Sequence, residues 1–248
     1  MIQRMVTSAL FAGFAAGLLA ALLHFAFVQK LILLGEGYES GAVQHFGGVA
    51  VDAHGHDAAS ATDSAPAETA GDGHDSHSHE PAAPAENRNA MTSLFFGLTY
   101  IAYALLLTAG FGLAQVYGKA IGLREGLLWG LAGFAAFQLA PAMGLAPELP
   151  GTMAADLTAR QLWWLGTAVS TGLALAVLGY GKGALSLALA ALLLALPHVI
   201  GAPHPEGFSG VAPPELAAAF ATRSLGVGLI VWAALGALAG QFWSGKPL

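Results

Sequence analysis

Five histidines, His54, His56, His74, His77 and His79, stand close together among Asp52, Asp57, Asp72, Asp75 and Glu80. Neutral imidazole nitrogens beside carboxylate oxygens suit zinc, nickel, copper or cobalt, and alternating His-x-His spacing lets a loose chain wrap one ion. Cysteine is absent, so thiolate ligation, disulfides and a cysteine nucleophile are all excluded. From Glu36 to Arg88 there are ten acids and one base, a charge of -9 that would gather cations. Such a tract reads as a metal collector or as a solvated linker whose histidines are incidental; as a collector it would not select its metal, because simple nitrogen and oxygen sites favour nickel and copper over cobalt.

Further candidate ligands lie at the borders of apolar segments. Glu36 and Glu39 stand one helical turn apart and share a face if the helix runs through them. Glu148, Asp156 and Arg160 fall in the stretch 141–164, where three prolines interrupt the apolar pattern. Broken backbone is tolerated in membranes where it is buried in protein or lines a cavity, so the stretch reads as a pathway element or as a surface loop with Trp163 and Trp164 in an interfacial belt. Asp156 and Arg160, four apart, are spaced to pair on one helix face. His198, His204 and Glu206 surround a proline-stiffened turn that would limit the entropy lost when ligands converge. Arg223 interrupts the last apolar run and should face inward or snorkel outward, with Asp156 or Glu215 available as a carboxylate partner.

The elements that must position these groups are membrane helices. Of 248 residues 56% are hydrophobic and 10% charged, against roughly a quarter charged in ordinary soluble domains. Apolar segments cover 5–34, 92–117, 126–145, 162–180, 184–200 and 216–243. Most approach the roughly 20 helical residues that cross a bilayer core, and none alternates like a barrel strand. The fold expected is an all-α polytopic bundle of about six transmembrane helices, five being the rival count. It forms one membrane domain over 1–248, with 41–90 a disordered His-rich loop between the first two helices. The first segment reads as a retained helix, its apolar run being too long for a cleaved leader. Gly181, Lys182 and Gly183 predict a tight hairpin between the fourth and fifth segments, and Gly13 and Gly17 form a GxxxG contact.

With both termini cytoplasmic, the inner side receives Arg4, Lys119, Arg124, Lys182 and Lys246. The outer side then collects 14 of the 15 carboxylates, Glu125 excepted, and the His-rich loop becomes extracytoplasmic.

The run 141–164, the turn 197–206, the acidic end 31–39 and the histidine-rich loop together resemble the CbtA family of predicted bacterial cobalt transporter subunits, over essentially the whole chain. The resemblance implies an inner-membrane protein of about five spans that supports cobalt uptake for cobalamin synthesis, usually beside a small single-span, histidine-bearing CbtB subunit. It implies no ligand set. The function expected is therefore transport of a divalent transition-metal cation, cobalt foremost, with a non-transporting metal-binding or assembly module as the alternative. Partners are the lipid bilayer, the ion, and either a CbtB-like subunit or a second copy; nucleic acid is not one. No prosthetic group is expected. Neither a P-loop nor an HExxH motif occurs, so ATP hydrolysis would need another subunit and an enzyme is the weakest reading.

Overall fold

A computed structural model describes residues 2–44, 85–207 and 209–245. The described residues form six helical rods and no strand. Rod α1 (Ile2–Glu39) passes through a π turn at His24–Val28, and α2 covers Ala85–Val116. The third rod, α3, joins Leu123–Phe134 to Ala140–Ala142 through a second π turn at Ala135–Leu139. It is followed by α4 (Leu157–Tyr180), α5 (Gly183–Ile200) and α6 (Pro214–Ser244). All but α3 are long and apolar enough to cross a membrane. The fold is thus all-α and membrane-type, with six rods of which five meet that measure.

Packing follows the small residues. Ala9, Ala12, Ala16 and Ala20 of α1 are fully or almost fully buried, whereas Phe11 and Phe14 between them point outward. In lipid there is no hydrophobic drive between helices, so contact is won by close backbone approach at Gly and Ala while large side chains face the tails. A methyl on Gly13 would overlap the backbone of Ile101, and one on Gly17 that of Gly97, which makes α1 and α2 an antiparallel pair in direct backbone contact. The α3 and α6 rods repeat the device: Gly126 lies against Gly236 and Gly240, Gly130 against Gly236, and Gly133 against the Trp232 ring. Aromatic rings fill the centre, with Trp232 stacked on Phe137 at 5.7 Å and Tyr103 4.7 Å from Trp232.

The α4 and α5 helices form the expected hairpin. Pro197 lacks an N–H, which leaves the Leu193 carbonyl without its helical donor. The hydroxyl of Ser170 on α4 donates to that carbonyl at 2.6 Å, and Trp163 Nε1 donates to the Pro197 carbonyl at 3.1 Å.

Each rod runs antiparallel to its chain neighbour, so the loops gather at two ends. One end carries Arg4, Lys119, Arg124 and Lys182 with the single acid Glu125; the other carries Glu36, Glu39, Glu148, Asp156, Glu206 and Glu215. The Arg4 guanidinium lies 5.3 Å over the Trp243 ring, fastening the two chain ends at the basic side.

Candidate metal-handling end

At the acidic end three segments are woven together. Gly35 of α1 packs against Leu149 and Pro150, Gly151 against Val211 and the stem of Glu39, and Thr152 forms an antiparallel bridge with Gly210. Met153 N–H donates to the Ser209 carbonyl at 3.1 Å. Leu149 is buried as the plug of this cap. The stretch 143–156 is therefore a loop tied to its neighbours rather than a broken helix re-entering the bundle.

Among the described residues the candidate ligands Glu36, Glu39, Glu148, Asp156, His198 and His204 share this end but do not converge on one point. Glu36 pairs with Arg88 at 3.1 Å, which fastens the first residues of α2 to the end of α1, and beside it Gln29 Nε2 donates to Asn89 Oδ1 at 2.7 Å. Glu39 is exposed next to Gly151. Glu36 and Glu39 thus have different neighbours, and Glu36 has an arginine partner. Arg160 pairs with Glu148 at 2.7 Å, not with Asp156. Asp156 instead caps α4, its Oδ1 accepting from Ala159 N–H at 2.8 Å. The side chains of the first pair are 42% and 43% exposed and those of the second 27% and 33%; such partly solvated pairs contribute only about 0–1 kcal/mol, so they position loops more than they stabilise the fold.

His198 is half-buried with its ring edge-on to Trp163 at 6.0 Å, while His204 is exposed in the following loop. Arg223 has neither Asp156 nor Glu215 as a hydrogen-bond partner; its Nη1 donates to the Phe27 carbonyl at 3.4 Å, inside the π turn of α1. A π turn displaces the regular hydrogen-bond ladder, so a guanidinium finds a backbone acceptor there without a carboxylate. His54, His56, His74, His77 and His79 lie outside the described residues. Among the described residues no three His, Asp or Glu side chains are close enough together to hold a metal ion.

Three contacts lie beyond what residue spacing reveals. The Arg88–Glu36 pair joins residues 52 apart in the sequence, and the Gln29–Asn89 contact could be suspected only from two amides flanking apolar runs. Gln138, inside the second π turn, has its buried Oε1 against Gly228 with no hydrogen-bond partner among the described residues.

The capping role predicts a specific outcome. Replacing Asp156 with Ala should cost about 1 kcal/mol, whereas Asn retains the cap. Thermal melting in detergent checks this, and an Asn variant that melts as early as the Ala variant would overturn the role.

The sequence model of the family described as probable cobalt transporter subunit (CbtA) matches residues 2–244. The chain belongs to the CbtA family. No curated protein and no solved structure matches it. CbtA membership covers every element described above, from the first residues of α1 to the end of α6. It makes the chain a multi-pass membrane protein of a metal-transport family.

Proposed function

We propose that this CbtA chain takes up a divalent transition-metal cation, cobalt foremost, across the bacterial inner membrane in support of cobalamin synthesis. One observation carries the reading: the end of α1 at Glu39 and the first turns of α2 at Arg88 lie together at the acidic end, and the histidine tract falls between them in the sequence. By the positive-inside tendency, the end bearing Arg4, Lys119, Arg124 and Lys182 is cytoplasmic and the acidic end faces outward. Metal would be concentrated there by charge, held by His54, His56, His74, His77 and His79, and passed to the more rigid groups near Glu148, His198 and His204.

A second reading draws on the same end. Glu36 and Glu148 are already neutralised by arginines and Asp156 caps a helix, which suits a module that binds metal outside and docks a CbtB-like subunit or another copy without conducting. Radioactive cobalt uptake into vesicles containing the purified chain alone separates the two. Uptake above that of empty vesicles, saturating with external cobalt, is expected; tight cobalt binding with no internal accumulation would overturn transport by this chain alone.

A further inference from the structure

At the basic end a cleft of about 530 Å³ opens between α3 and α4, with α2 behind it. Tyr103, Phe137 and Trp232 form its floor, Leu128, Trp129 and Ala176 part of its walls. Leu128 and Ala176 are exposed, so the cleft faces sideways into the membrane as well as toward the basic end. Lys119, Glu125 and Tyr180 form the rim.

Depth decides what could fill it. From Tyr180 at the rim to Gly172 at the inner end, α4 descends eight residues, about 12 Å at the helical rise, close to one leaflet's share of a hydrocarbon core of about 30 Å. Beyond the floor the two rods close: Phe137 meets Trp164 at 6.0 Å, and Gly144 lies directly against the Trp163 ring. A spanning helix, about 10 Å wide and needing the full depth, finds no groove past the midplane. A chain entering from one leaflet does.

The rim supplies a headgroup partner. Gly118 takes φ 73° at the end of α2, its N–H donating to the Gln115 carbonyl at 2.9 Å while Lys119 N–H reaches the Ala114 carbonyl at 3.1 Å. This double closure of the helix end holds Lys119 at the mouth, its ammonium 6.0 Å over the Tyr180 ring. The one acid of the rim, Glu125, turns to its own helix start and accepts from Gly122 N–H at 3.0 Å. Arg124 lies on the same end and adds positive charge.

We propose that this cleft is a binding site for an anionic phospholipid, its phosphate beside Lys119 and one acyl chain against the Tyr103, Phe137 and Trp232 floor. Basic pockets between membrane helices recognise anionic headgroups, and burial of a chain in an apolar slot adds to each contact. The assignment is independent of which ion the chain carries.

Trp129 and Trp232 line the cleft and serve as built-in reporters. The purified full chain in nanodiscs of phosphatidylcholine is titrated with phosphatidylglycerol bearing brominated acyl chains, and separately with phosphatidylcholine bearing the same chains. The brominated anionic lipid is expected to quench tryptophan at lower mole fraction. Lys119→Ala should reduce that preference about fivefold, while Lys182→Ala, at the same end but outside the cleft, leaves it unchanged. Ala176→Phe, which fills the wall, should reduce quenching by both lipids. Equal quenching of the wild type by the two lipids would overturn the proposal even if no variant folds. So would an unchanged preference in Lys119→Ala, or native mass spectra in which a second copy or another polypeptide, rather than lipid, displaces the quencher.

Discussion

Gly130→Ala should lower the melting temperature of the detergent-solubilised protein by about 3–10 °C, a large effect for one added methyl. That methyl would overlap the Trp232 carbonyl and stand 2.9 Å from the Gly236 Cα. Both obstacles are backbone atoms of α6 and cannot rotate away, so the rods must part along their length and lose the packing that holds them. Overfilling a tight contact costs about 1–3 kcal/mol, and a chain of this size shifts by about 2–4 °C per kcal/mol. Gly166→Ala on α4 is the control. Nothing lies within 4 Å of its added methyl, and helix propensity alone makes Ala better than Gly by up to about 1 kcal/mol. A Gly130→Ala protein that melts with the wild type would mean that close approach of α3 and α6 is not what holds the bundle.

Deleting residues 50–80 should raise the external cobalt concentration for half-maximal uptake by about tenfold or more while leaving the maximal rate near that of the full chain. The deletion removes five histidines and seven carboxylates and no basic residue. A charged surface raises local cation concentration by at least about an order of magnitude at low ionic strength, an advantage that vanishes once the bulk ion saturates the path. Initial rates of radioactive cobalt entry into vesicles, measured across external concentration, give both quantities. Equal loss at every concentration would make the tract part of the path rather than a collector, and no change at any concentration would leave its histidines without a role in capture.

Composition and charge made the broad architecture legible, because lipid forces every spanning segment into an apolar helix and glycine and lysine mark where helices turn back. The Gly181–Lys182 hairpin and the division into acidic and basic ends were readable on these grounds. The extension of α1 through Glu39 was readable only as a condition on Glu36 and Glu39 sharing a face. What decides it is Gly35 packing under Leu149, a contact more than a hundred residues away in sequence. Arginine partners were the hardest to read. Spacing favoured Asp156 for Arg160, but Asp156 is the residue before the helix begins, where its oxygen serves the backbone, and Glu148 is brought in by the loop. The partner of Arg223 is a carbonyl in a π turn, and neither π turn has a composition that announces it.

Those two π turns alter the angular frame of the rods that contain them. Each inserts a residue without completing the corresponding rotation, so everything beyond it is offset by about 100° from where an unbroken helix would aim it. On α1 the offset lies between the alanine face that grips α2 and the segment bearing Gln29 and Glu36, which meet Asn89 and Arg88 of that same helix. Contact with one partner is thus kept along the rod by an extra residue rather than by a continuous stripe, and a wheel drawn through His24–Val28 as ordinary helix would aim Glu36 away from Arg88.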